Sequence, residues 1–344
     1  MEITLEKEKI LTPSPEPPVT EGGESVPEAH APGVRWLEVA FLGGMRIAWN
    51  WDDLLQDATS AGENLNLAMA GLVLSNDVEF TARRGETVLR QLGFDEIKSE
   101  CYLLSTQARN EISDPARSFG HKLLEKDGKT YHVFCAVFKG TTTLQDAVTD
   151  VKSVLDGFYE GGRSCTESLK EYINRFEGAK PENTILFITG HSLGAATANV
   201  VGRLCRTFAR DEASFIYTFA SPNYETDGEW NDGKSYPNFH YYTNADDVVP
   251  LVPLRLPPRF FSKIGKETLF RYDTMEQSQK ARFLRAYQYF RHLTFEEDTD
   301  LLGLGLKETE SLGFKALKNH LCHTYMSFIL SRLADKEMDL YLTK

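Results

Sequence analysis

From about residue 131 the chain alternates short unbroken apolar runs with stretches of helical period. YHVFCAVFKG (131–140) reads as a β-strand, preceded by the hairpin signal Lys126-Asp127-Gly128-Lys129. TILFITG (184–190) is short, continuous and apolar, the pattern of a strand buried on both faces. SFIYTFAS (214–221) and FHYYTNA (239–245) predict two more strands. SCTESLKEYINRF (164–176) and LGAATANVVGRLCRTFAR (193–210) carry apolar residues at helical spacing between them. Strands alternating with helices predict an α/β fold, with a mostly parallel central sheet and helices on both faces. Upstream, residues 35–100 read as a helical N-terminal part: Asn64 is placed to cap NLNLAMAGLVLS, and Gly93 to end ETVLRQLGF. Residues 254–318 are less regular, with a helical QKARFLRAYQYFRHL, and HLCHTYMSFILSRL (320–333) predicts a last amphipathic helix.

Composition changes this picture mainly at the start. Residues 1–34 hold six of the 14 prolines and several glutamates, so they read as a disordered Pro/Glu-rich leader outside a 35–344 domain. The opening MEITLEKEKI has no apolar signal-peptide core. That reads as cytoplasmic as written, or as a secreted chain whose signal was removed, and the compartment stays unassigned. Lys plus Arg is 38 against 50 Asp plus Glu, and the net charge of −12 argues against nucleic acid or an anionic membrane as a stable partner. No apolar run approaches the length of a membrane-spanning helix. The five cysteines, Cys101, Cys135, Cys165, Cys205 and Cys322, have neither disulfide-framework nor zinc spacing and are expected as buried or partly buried free thiols.

The sharpest chemical signal is Gly190-His191-Ser192-Leu193-Gly194, a G-x-S-x-G with a strand before it and a helix after it. That context is what a nucleophile elbow requires. It exposes Ser192 at the top of the sheet and offers the N–H of Leu193 to a developing oxyanion. A serine nucleophile needs a base and a carboxylate that orients the base, in the chain order Ser, Asp, His. The strand FHYYTNA runs into Asp246-Asp247, and either carboxylate could serve. Three histidines follow: His292 in an aromatic helical segment, and His320 and His323 at the start of the last helix. His191 lies in the elbow, with its side chain expected to point away from the serine. After the first strand, Gly140 leads into Thr141, which would supply a second oxyanion N–H and a hydroxyl. GHSLGAAT lacks the lysine of a phosphate-binding loop, and LLGLGL does not follow a strand with dinucleotide spacing, so nucleotide binding is not expected.

In order, these pieces resemble the class 3 lipases, the group that includes the fungal triacylglycerol lipases. VFKGTT looks like the family's F-R-G-T/S strand, with Lys139 replacing Arg. Asp156-Gly157-Phe158 is similar to its H-x-G-F, departing at the His. GHSLGAAT is close to G-H-S-L-G-G-A-T, with Ala195 for the last Gly. DVVPLVP resembles D-x-V-P-x-L-P and aligns the family's aspartate with Asp247 rather than Asp246. Asn319-His320 with Tyr325 is similar to H-S-M-x-x-Y and favours His320 over His323. The resemblance spans about residues 130–330, and the upstream NLNLAMAGLVLS and RQLGF look like the helical part of bacterial members.

The resemblance implies an α/β-hydrolase fold and a serine carboxylester hydrolase acting on acylglycerol or related lipid esters through an acyl-enzyme. Ser192 would be the nucleophile, His320 the base, Asp247 its orienter, and Thr141 and Leu193 the oxyanion donors. No metal or organic cofactor is called for, and only transient contact with a lipid interface is expected. The interval between Thr141 and Phe158 is short for a long helical lid. A cap-like insertion is therefore expected in 254–318, where PPRFFSKIGKETLFRY and LLGLGL carry apolar groups. Two alternatives share the scaffold: a lipase-like binding protein without turnover, and an acyltransferase using the same nucleophile.

Overall fold

The computed structural model describes residues 33–39, 42–55, 60–103, 107–108, 114–140, 151–224, 236–252, 262–294 and 318–342. The chain divides into Met1–Pro32 and Gly33–Lys344, so the expected leader lies almost wholly outside the described residues.

The second unit opens with a hairpin, which corrects the helical expectation there. Strands β1 (Arg35–Glu38) and β2 (Arg46–Trp49) pair antiparallel, with Arg35 opposite Trp49. Gly43 and Gly44, at φ 59° and 85°, turn the chain between them. Those conformations favour glycine and break a helix. Four-residue strands are also too short to display a clear two-residue alternation. Helices α1 (Asp52–Leu55), α2 (Leu65–Phe80) and α3 (Ala82–Leu92) follow. The Asn64 side chain caps α2 by accepting from the N–H groups of Asn66 and Leu67, at 2.9 and 3.1 Å. Gly93, at φ 98°, ends α3 in the left-handed region. Strand β3 (Glu96–Glu100) is a second departure from the helical expectation for 35–100, an edge strand built from EIKSE. A small pair, β4 (Tyr102–Leu103) and β5 (Gln107–Ala108), comes next.

The long hairpin β6 (Arg117–Lys126) and β7 (Lys129–Phe138) turns through Asp127 and Gly128, at φ 52° and 72°. A two-residue turn with both central residues at positive φ matches the twist of paired strands. Helix α4 (Val151–Ile173) leads to β8 (Thr184–His191), α5 (Leu193–Leu204), β9 (Ser214–Phe219) and β10 (Phe239–Asn244). Strand β11 (Lys266–Phe270) then joins β10 in parallel, and α6 (Gln277–Thr294), α7 (Cys322–Ser331) and α8 (Asp335–Tyr341) complete the chain. The main sheet has the order β11-β10-β9-β8-β7-β6-β3, with β7 to β11 parallel and β6 and β3 joined by antiparallel pairing.

Alternation along the strands builds two cores. Val133, Cys135, Val137, Phe187 and Tyr217 face one side, with α2, α3, α6 and α7. Phe134, Ala136, Phe138, Ile188 and Ile216 face the other, with α4 and α5. Strands covered on both faces read as unbroken apolar runs for this reason. The segment 254–318, expected to hold a cap-like insertion, is described only in part. Residues 266–270 extend the sheet, and α6 sends Phe283, Ala286 and Phe290 into the first core. Residues 253–261 and 295–317 lie outside the described residues. All five cysteines are free, four of them buried. Among the described residues no helix is long and apolar enough to cross a membrane.

Candidate active site

Two loops at the carboxyl ends of parallel strands, the usual place for a site in such sheets, supply two of the three reactive groups. Ser192 sits between β8 and α5 at φ 56° and ψ −128°. A side chain tolerates that conformation only where the surroundings impose it. The flanking glycines show what imposes it. A Cβ on Gly190 would lie 2.3 Å from the carbonyl oxygen of Gly194, and one on Gly194 would lie 2.2 Å from that of Phe138. The elbow thus closes on itself and packs against the end of β7. Ser192 N–H donates to the Phe219 carbonyl at 2.9 Å, which ties the elbow to β9.

The loop after β10 brings Asp247, and the segment leading into α7 brings His320, two residues before the helix. Ser192 Oγ lies 2.8 Å from His320 Nε2, and His320 Nδ1 lies 2.8 Å from Asp247 Oδ2. With a proton on Nδ1, the imidazole donates to the carboxylate and its Nε2 accepts from the serine hydroxyl. All three residues are buried, Asp247 completely. Asp247 has two further donors. The Tyr325 hydroxyl reaches Oδ2 at 2.8 Å, and the Val249 N–H reaches Oδ1 at 3.0 Å. Burial and the adjacent Asp247 carboxylate push the Tyr325 phenol well above its ordinary pKa, so it remains a donor. A carboxylate taken from water and held by three donors is oriented without being left unsatisfied.

Asp246 and His323 are not part of this relay. Asp246 is exposed, and its backbone carbonyl accepts from Asn319 Nδ2 at 3.1 Å. His323 stacks on Phe290 of α6, with ring centroids 5.4 Å apart. The His292 side chain lies outside the described residues, as does Thr141. Leu193 begins α5, where an N–H has no acceptor within its own helix. The close approach of Gly194 to Phe138 and Lys139 brings this helix start against the chain that leads to Gly140. Among the described residues no cluster of His, Cys, Asp and Glu could hold a metal ion. A hydroxyl linked to an imidazole linked to a buried carboxylate can act as a nucleophile with its own general base.

Sequence reasoning missed Asn244. Its side chain donates to the Asn319 carbonyl at 3.0 Å and accepts from the Asp246 N–H at 3.1 Å. The available signal was an amide at a strand end, just before the paired aspartates. Tyr325 belongs to the motif that resembles H-S-M-x-x-Y, which does not by itself show the bond to Asp247.

Residues 125–256 match the class 3 lipase family. Among solved structures, the chain is similar to a Rhizomucor miehei lipase propeptide complex at 15% identity, covering 72% of this chain and 77% of that one, with a TM-score of 0.38. A lipase from Rhizopus microsporus var. chinensis matches at 14% identity, covering 71% and 85%, with a TM-score of 0.35. A triacylglycerol lipase from Penicillium expansum matches at 14%, covering 59% and 76%, with a TM-score of 0.34.

Proposed function

We infer that this chain, whose residues 125–256 belong to the class 3 lipase family, is a serine carboxylester hydrolase that works through an acyl-enzyme. The observation that carries the reading is the continuous relay from Ser192 Oγ through His320 to Asp247, with 2.8 Å at each step. Ser192 attacks the ester carbonyl carbon as His320 Nε2 takes its proton. Asp247 holds the imidazole in that tautomer and stabilises the imidazolium. The negative charge moves to the carbonyl oxygen, where the Leu193 N–H and Thr141 receive it. Loss of one such donor costs roughly 100- to 1,000-fold in rate. The intermediate collapses, His320 returns the proton to the leaving alkoxide, and the alcohol departs. Water then repeats the sequence on the acyl-enzyme and regenerates Ser192.

Lipid esters are the proposed substrate class. Val248 and Leu251, on the turn beside Asp247, are 42% and 52% exposed and put apolar surface next to the site. Exposed apolar groups at a site suit a substrate with an acyl chain. The test is turnover of p-nitrophenyl esters of increasing chain length, with an added alcohol in a parallel series. Ester cleavage is expected to rise with chain length and to disappear in Ser192→Ala, with water as the acceptor. Cleavage retained by pure Ser192→Ala would remove the serine mechanism. Product ester formed in preference to free acid would make the protein an acyltransferase.

A further inference from the structure

His320 must hold its ring between two partners at once, and the structure anchors its backbone on both sides. The Asn319 carbonyl, preceding the His320 Cα, accepts from Asn244 Nδ2 at 3.0 Å. The His320 carbonyl, following it, lies 2.7 Å from His191 Nε2. Asn244 ends β10, the strand that leads to Asp247, and His191 ends β8, one residue before Ser192. The peptide units flanking the base are thus referenced separately to the strand of the carboxylate and the strand of the nucleophile. We propose that His191 is a positioning residue for the reaction. Its Nε2–H, donated to the His320 carbonyl, sets the distance between base and nucleophile.

Three observations support this role over simple packing. A carbonyl oxygen only accepts, so the bond requires the proton of His191 on Nε2. The side chain is buried, with 4% exposure, so a donor lost here is not replaced by free solvent. The His191 and His320 rings lie 4.7 Å apart at 40°, close enough that a shift of one moves the other. With its backbone held, His320 has only its own side-chain torsions left to adjust, and these are taken up by Ser192 and Asp247. Displacement of a reacting group by about 1 Å can cost up to ~100-fold in rate.

The inference rests on the serine-hydrolase reading, and the test separates the two. Wild type, His191→Leu and His191→Gln are compared for kcat and KM on a soluble p-nitrophenyl ester and for labelling of Ser192 by a fluorophosphonate. Glutamine places an amide N–H near the position of Nε2, and leucine does not. The expected result is a kcat about 10- to 100-fold lower in His191→Leu with KM changed less than about threefold, and recovery to within about fivefold of wild type in His191→Gln. Equal rates in all three proteins would overturn the proposal, as would equal losses in both variants. Absence of labelling in the wild type would instead defeat the hydrolase reading. A measurement on the wild type covers a variant that does not fold: long-range 15N–1H spectra of the imidazoles. These are expected to show His191 as the Nε2–H tautomer, and an Nδ1–H tautomer would overturn the assignment.

Discussion

Asp246 and Asp247 are neighbours in the chain with opposite surroundings. Asp246 faces solvent, while Asp247 is fully buried and accepts from His320, Tyr325 and the Val249 N–H. Residue patterns left either carboxylate open, and the resemblance to D-x-V-P-x-L-P pointed to Asp247. The structure gives the physical difference, because the 3-10 turn Val249–Leu251 aims a backbone N–H back at Asp247. Substitution is expected to follow this difference. Asp247→Asn should lower kcat by roughly 1,000-fold or more, since an amide no longer fixes the imidazole tautomer, and Asp246→Asn should leave kcat within about threefold. Steady-state kinetics of the pair would decide it. Tyr325→Phe removes a hydroxyl from a buried carboxylate and is expected to cost about 1.5–3 kcal/mol in urea denaturation. An unchanged denaturation midpoint would mean that this bond adds nothing to stability. The hydroxyl's partner was not legible in the sequence because it lies 78 positions away.

The elements were legible where both faces are buried. β7 and β8 read as apolar runs and β9 and β10 as strands, and each sends residues into both cores. Legibility failed where strands are short or sit at an edge. β1 and β2 have four residues each, and β3 and β11 end the sheet with few buried positions. KETLF in β11 falls in the segment expected as a cap; three of its five residues are exposed and only Phe270 is buried, so it lacks the apolar run of a central strand. Packing between α4 and α5 offers a test at this scale. A Cβ on Gly162 would lie 2.3 Å from Val200 Cγ1 and 2.6 Å from its Cβ. Gly162→Ala is therefore expected to destabilise by about 1–3 kcal/mol through overpacking. Val200→Ala added to it should restore part of that loss, which thermal melts of the single and double variants would show. Strict additivity of the two losses would indicate that the helices do not meet there.

For the molecule as a whole, one sheet separates two cores, and the proposed site lies where the β8 and β10 loops meet the start of α7. Away from that site, a buried histidine pair contributes to how the stability of the fold depends on pH. His121 of β6 and His132 of β7 bring Nε2 and Nδ1 to 3.1 Å, with the His121 ring tilted against Phe176. Burial, with the neighbouring His132, lowers the His121 pKa from 6.5 to about 4. The folded state thus prefers this group neutral. Its stabilising contribution is present above pH 6.5 and is lost as pH falls towards 4. Asp77, raised by burial from 3.8 to about 6, acts with the opposite sign over a similar range. The prediction is therefore a difference: His121→Phe should lose less Tm than wild type between pH 6.5 and 4. Parallel melting curves would contradict it. Activation of Ser192 by His320 and Asp247 is decided by labelling with a fluorophosphonate probe. Labelled peptides would be identified by mass spectrometry in wild type, Ser192→Ala and His320→Ala. A single adduct on Ser192 is expected, absent from Ser192→Ala and strongly slowed in His320→Ala. Folded wild-type protein that stays unlabelled with and without detergent, or labelling that is indifferent to His320, would contradict it.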